Sequence, residues 1–151
     1  MNAALSLVRA ERSDIATLIE LYTAAGLDTR GPHDETTARS AWDRMHLAVP
    51  AVRVFIAQRA GIAVGTYTLF ILPLLAHAGA PEAIVEDVAV HPEAQGQGIG
   101  RSMMEHAMQL AREAGCYKLA LSSNQRREQA HAFYERLGFA RHGVSFAVEL
   151  P

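Results

Sequence analysis

The stretch from Val85 to Arg101 constrains this chain more than any other. Val85-Glu86-Asp87-Val88-Ala89-Val90-His91-Pro92 reads as an apolar strand entering a turn. Gln95-Gly96-Gln97-Gly98-Ile99-Gly100-Arg101 then sets three alternating glycines before a long amphipathic helix. A strand, a glycine-rich turn and a helix start, in that order, build an anion cradle. Glycine adopts positive φ and lets backbone come close to a ligand. The free N–H groups at the helix start point at that ligand, and the helix dipole adds positive potential. The natural guest is a phosphate or pyrophosphate.

Two familiar phosphate motifs do not match. A P-loop needs a Lys after its last glycine, and none follows here. A dinucleotide fingerprint needs G-x-G-x-x-G and an acidic residue ending the next strand. This chain has G-x-G-x-G, and its next strand, Cys116 to Ser122, ends in serines and Asn124.

The 151 residues suit one domain with a substantial core, expected to span 1–151. A net charge of −2 offers no basic surplus for nucleic acid or an anionic membrane. Cys116 is the only cysteine, so neither an intrachain disulfide nor a cysteine-based zinc site is expected. The seven histidines (33, 46, 77, 91, 106, 131 and 142) show no H-x-x-x-H spacing, and no metal is expected. Residues 1–10 lack a signal-peptide pattern. The longest apolar stretch, Thr68 to Ala78, is too short for a bilayer and contains Pro73. A cytoplasmic location is the expectation.

The periodicities predict a strand at Leu5 to Arg9, then a helix capped by Ser13 and closed by Gly26, with Ile15, Leu18, Ile19 and Tyr22 on one face. A polar turn covers Leu27 to His33, and a second helix Glu35 to Leu47. Val52 to Arg59 and Ile62 to Leu72 form a hairpin about Ala60-Gly61. A strand at Ala83 to Val90 leads to a helix at Arg101 to Ala114, with Met103, Met104, Ala107, Leu110 and Ala111 as its apolar stripe. Tyr117 to Ser122 reads as a strand, Gln129 to Leu137 as a helix capped by Gly138, and Ser145 to Leu150 as a final strand. The order β-α-α-β-β-β-α-β-α-β predicts an α/β protein with a mixed sheet.

Gln95-x-x-Gly98-x-Gly100 after a strand, with Ala132-Phe133-Tyr134-Glu135-Arg136-Leu137-Gly138-Phe139 further on, resembles the GCN5-related N-acetyltransferase (GNAT) superfamily. The resemblance is sharp over residues 84–140 and architectural over 1–83. It implies the GNAT acyl-CoA N-acyltransferase fold, acetyl-CoA as co-substrate, and direct ternary-complex transfer to a primary amine of a small molecule. Glu86-Asp87, Gln95 to Gly98 and Gly115-Cys116-Tyr117-Lys118 are similar to glucosamine-6-phosphate N-acetyltransferases. Leu121 to Asn124, on through Arg127 to Ala130-His131, is closer to aminoalkylphosphonate acetyltransferases. A homodimer is the family habit.

The resemblance also implies roles. Backbone near Val88, Ala89 and Val90 would pair with the pantetheine arm and polarise the thioester. Backbone N–H groups of Gly96, Gln97, Gly98, Ile99, Gly100 and Arg101, after Gln95, would take the pyrophosphate. Asn124 would reach the pantetheine, and Phe133 and Tyr134 would join the cofactor-binding set, a core aromatic being the plainer alternative for Phe133. Tyr134 is the expected general acid, since a phenol with pKa near ~10 is protonated at neutral pH. Glu86, read as sharing the face of Val88 and Val90, would hold the amine or take its proton through water; an ion pair with an arginine is the plainer alternative. Arg101, Arg126, Arg127 and Arg136 are candidate phosphate contacts. A non-catalytic acyl-CoA sensor, a protein-lysine or N-terminal acetyltransferase, and a nucleotide-binding module stay open beside this reading.

Overall fold

The computed structural model describes residues 3–28, 30–31 and 33–151. Thr29 and Pro32, in the turn expected at Leu27 to His33, lie outside the described residues, as do Met1 and Asn2 in the stretch read for a signal peptide. The chain divides into two compact units, one ending at Ala120 and one beginning at Leu121.

The first unit is a mixed sheet with helices on both faces. In chain order it holds β1 (Leu5–Arg9), α1 (Ile15–Ala24), α2 (Glu35–Ala48), β2 (Arg53–Arg59), β3 (Ile62–Leu72), β4 (Glu82–Val90), α3 (Ile99–Glu113) and β5 (Leu119–Ala120). The strands lie in sequence order; β1 to β4 are antiparallel neighbours, and β5 runs parallel to β4. Ala60 and Gly61, at φ 50° and 76°, make the β2–β3 turn, because successive left-handed residues match the twist of a tight hairpin.

Partners across an antiparallel ladder present side chains to the same face. Val54 and Ile56 pair with Thr68 and Thr66 and face α1, where Ala10 and Leu18 complete a buried cluster edged by Tyr22, Trp42 and Met45. Phe55 and Ala57 pair with Tyr67 and Gly65 and face α3. On that side Tyr67 Oη lies 2.7 Å from His106 Nδ1, and Ile99, Met103, Met104 and Ala107 are fully buried. Burial lowers the His106 pKa and raises that of Tyr67, which favours the neutral form of both partners. Gly65 lets α3 come this close: a Cβ there would meet Ala89 O at 3.0 Å and Ile99 Cγ2 and Met103 Sδ at 3.2 Å.

Ser13 does not cap α1. It lies in a 3-10 turn, Arg12–Asp14, and Asp14 instead accepts the Glu11 N–H at 2.8 Å. A carboxylate reaches back to the preceding backbone more readily than a hydroxyl inside the turn. Arg12 grips Asp43 of α2 with two bonds of 2.9 and 3.1 Å, and Asp34 caps α2 by accepting the Thr37 N–H at 2.8 Å.

The second unit holds α4 (Glu128–Arg136) and the chain on either side of it. Two expected strands are corrected. Tyr117 to Ser122 shortens to Leu119–Ala120, because only Ala83 and Ile84 pair with it. Ser145 to Leu150 is not a strand. Its alternation is real, since Val144, Phe146, Val148 and Leu150 are all largely exposed, but a strand exists through its ladder partner and these residues have none among those described.

Candidate active site

The loop after β4 has the architecture its glycines call for. Gly96 and Gly98 take φ of 74° and 79°, and Gly98 is the left-handed N-cap of α3. No atom lies within 4 Å of where a Cβ would stand at either position, so backbone conformation and open space, not packing, require glycine. The Ser102 N–H turns back to Gly98 O at 3.1 Å. From Gly96 through Arg101, no backbone N–H finds a protein acceptor among the described residues. The loop therefore offers a run of unpaired donors at the positive end of a fifteen-residue helix.

Side chains fix the loop from outside. Gln95 Nε2 donates to Val90 O at 3.4 Å, Gln97 Nε2 donates to Glu93 O at 3.1 Å, and the Glu93 N–H reaches His91 Nδ1 at 3.3 Å. Arg59, at the end of β2, donates to Gln97 Oε1. Arg101 lies 3.4 Å from Glu105 on the next turn of α3.

The strand feeding this loop carries a β-bulge. Thr68 pairs with Glu86 and Thr66 with Ala89, so Asp87 and Val88 together oppose Tyr67, and Asp87 is left-handed at φ 51°. The extra residue inverts the alternation of β4. Glu86 consequently shares the α1 face with Ala89, while Val90, paired with Gly65, faces α3 and Val88 goes with it. The expectation that Glu86 shares the face of Val88 and Val90 is thus corrected. On the other edge of β4, pairing with β5 stops after Ile84.

The bulge gathers groups on the α1 face that the sequence did not bring together. Tyr22 lies beside Thr68 and Thr66, both buried. Burial, then the charge of Asp87, pushes the Tyr22 pKa up to about 12. Burial and then Asp28 lift the Asp87 carboxyl above the ordinary range; burial and then Asp87 lift that of Glu86. Both residues nonetheless remain open to solvent. Asp28 accepts from Thr23 Oγ1 at 3.2 Å and lies 3.8 Å from His33 Nδ1. No arginine pairs with Glu86 among the described residues. Tyr22 reads in sequence only as part of a helical apolar stripe. The signal for Asp87 was present, because two adjacent acidic residues interrupt an otherwise apolar strand.

Cys116 stands elsewhere. The Tyr117 N–H donates to Pro81 O at 3.0 Å, which puts Cys116 beside the start of β4, whereas the glycine loop leaves from its end. Burial, then Glu82, raises the thiol pKa, so the sulfur stays protonated. His77 stacks on Tyr117 at this same end.

In the second unit, Phe133 and Tyr134 stand edge to face at 5.1 Å, and Phe139 meets the Tyr134 ring at 5.7 Å. Burial raises the Tyr134 pKa, against a smaller opposing effect of Arg127. Asn124 is a turn residue: its Oδ1 accepts the Arg126 N–H at 2.9 Å, and its carbonyl lies 2.9 Å from His131 Nε2. Arg127 takes the N-cap of α4, and Arg136 closes that helix. Among the described residues, no group of three His, Cys, Asp or Glu stands close enough to hold a metal, and no helix is long and apolar enough to cross a membrane.

A mixed α/β sheet whose bulged fourth strand feeds a glycine-capped helix start is the arrangement of a class of acyl-group transferases. Residues 15–139 match the model of the acetyltransferase (GNAT) family, and the chain belongs to that family. It is similar to glucosamine 6-phosphate N-acetyltransferase of Trypanosoma brucei brucei, at 31% identity over 93% of this chain and 92% of the relative. It is also similar to aminoalkylphosphonate N-acetyltransferase of Salmonella typhimurium, at 34% identity over 70% of this chain and 68% of the relative. Among solved structures, an acetyltransferase of Trypanosoma brucei superposes with a TM-score of 0.82 at 28% identity, covering 97% of this chain and all of that one. The protein is an acyltransferase of the GNAT type.

Proposed function

We propose that this chain transfers the acetyl group of acetyl-CoA directly to a primary amine of a small molecule, and that residues 1–151 serve as one catalytic domain. The observation that carries the reading is the run of unengaged N–H donors from Gly96 to Arg101 at the start of α3. Those donors suit the pyrophosphate of acetyl-CoA, and the unpaired edge of β4 beyond Ile84 suits its pantetheine arm. Backbone near Val88, Ala89 and Val90 then polarises the thioester carbonyl. Asn124 and Phe133 belong to the same proposed cofactor set.

Glu86 and Asp87 hold the incoming ammonium on the α1 face, with Asp28 and Tyr22 close by. Their raised pKa values make both carboxylates more basic than ordinary ones, as suits groups that take a proton from an amine through water. Tyr134, kept protonated by burial, gives the departing thiolate its proton. Direct transfer, rather than a covalent acyl-enzyme, is favoured by the protonated Cys116 at the wrong end of β4. A small amine that carries its own phosphate is the favoured acceptor, after the relatives that act on glucosamine 6-phosphate and aminoalkylphosphonates. A cytoplasmic setting goes with this reading.

The test is CoA thiol release from acetyl-CoA across amino sugars and their phosphates, aminoalkylphosphonates, amino acids, polyamines and aminoglycosides. A strong hit whose kcat falls about a hundredfold or more in Tyr134→Phe is the expected result, the usual scale for a general acid. Acetyl-CoA binding with no acceptor, and no effect of Tyr134→Phe on any turnover, would turn the reading toward a sensor.

A further inference from the structure

Gly96 and Gly98 build the cradle, but they cannot stiffen it. Nothing packs against either position, and glycine loses more freedom on ordering than any other residue. A loose loop would spend binding energy on its own ordering each time the donor arrives. The stiffness must come from bonds made by its neighbours. Gln95 to Val90 O and Gln97 to Glu93 O bind the segment to itself and to the end of β4. One further bond reaches a different part of the sheet, from Arg59 Nη1 to Gln97 Oε1.

Arg59 is well placed to anchor the loop. It is the last residue of β2, held on one side by Leu5 and on the other by Ile62, next to the tight Ala60-Gly61 turn. Alternation along β2 puts it on the face of Ala57, which is the face of α3 and the loop. Its Nε is buried with no partner among the described residues, and Gln97 is the one acceptor its guanidinium finds there. A charged donor makes a stronger bond than a neutral one. The Gln97 amide is then engaged at both ends, by Arg59 and by Glu93 O, while its backbone N–H stays free.

We infer that Arg59 and Gln97 form a strut that holds the glycine loop in its donor-binding shape, Arg59 acting as a positioning residue and Gln97 as its lever. The inference rests on the acetyl-CoA reading above. Neither side chain touches the donor in this account; both act on the backbone that does.

Calorimetric titration of the full chain with CoA tests it. Arg59→Ala and Gln97→Ala each weaken CoA binding about tenfold, the scale of one bond to a charged group. The double variant is no weaker than Gln97→Ala alone, because one strut cannot be removed twice. Arg59→Lys keeps a donor without the planar fork and recovers part of the loss, but only while Gln97 is present. Melting temperatures of all variants stay together. Unchanged CoA affinity in Arg59→Ala overturns the inference. Losses that add in the double variant, or that follow falling melting temperatures, overturn it too, by reducing Arg59 to a support of the fold. Absence of CoA binding in the unaltered chain fails the acetyl-CoA reading itself and is seen before any substitution is made.

Discussion

Gly65→Ala tests the link between sheet packing and the cradle. Position 65 lies in β3 where α3 comes nearest, and its φ is not in the left-handed region, so alanine meets no backbone obstacle. The obstacle is space. A new methyl would sit 3.0 Å from Ala89 O and 3.2 Å from both Ile99 Cγ2 and Met103 Sδ, well inside ordinary contact. Met103 can adjust through its flexible side chain, but Ala89 O is backbone of β4, and Ile99 opens α3. Overpacking of this kind costs about 1–3 kcal/mol. Alanine recovers about 0.4–1 kcal/mol by restricting the unfolded chain. The steric cost wins, leaving a net loss of about 1–2 kcal/mol. For a chain of this length that lowers Tm by roughly 3–6 °C. Since Ile99 directly follows Gly98, the shift also moves the loop, and CoA affinity falls with stability. Thermal unfolding followed by circular dichroism, beside a CoA titration, measures both. A Tm equal to or above that of the unaltered protein would refute the packing argument. A lower Tm with unchanged CoA affinity would refute the coupling of α3 to the loop.

Three further outcomes are expected. Asp87→Asn keeps the left-handed backbone, which asparagine tolerates, and lowers kcat/KM for the amine about tenfold or more, the scale of a lost charged contact. Because the folded Asp87 pKa is raised, its contribution to stability is present at low pH and is lost as pH rises through the folded value. Asp87→Asn is therefore more stable than the unaltered chain at neutral pH, and the gap closes in acid; equal melting curves at both pH values would contradict this. Tyr22, pushed up to about 12 from an unfolded value near ~10, gives the same sign at high pH. Its stabilisation is full below that unfolded value and fades toward the folded one, with a matching late step in tyrosinate absorbance that Tyr22→Phe removes; a step at the ordinary value would show the hydroxyl to be free. Cys116→Ala leaves turnover within about twofold, as expected of a side chain away from the transfer chemistry, and abolished turnover in a normally folded variant would restore an acyl-enzyme route.

Much of this architecture was legible because local chemistry and tertiary structure agree. The strand, glycine loop and α3 stand where Val85 to Arg101 put them, and the Ala60-Gly61 hairpin turns where expected. The bulge escaped because a period-two pattern assumes that no residue is inserted, and Asp87 breaks that assumption from inside the strand. Grouping of Tyr22 with Asp28 and Asp87 could not be read from spacing, since it depends on which face α1 covers. Ser145 to Leu150 was read as a strand and is not one, because a local pattern supplies no ladder partner. The reach of Arg59 to Gln97 spans 38 positions and leaves no local trace.

The inserted residue in β4 works as a phase shift. Positions of like parity before it and after it answer to different sides of the molecule: Glu86 faces α1, whereas Val90 faces α3. Changes at Tyr22, Asp28 or Glu86 alter one side, while the loop and α3 hang from the other. A lineage can therefore retune what approaches the carboxylates without rebuilding the glycine loop. Such a strand separates two heritable traits with a single extra amino acid.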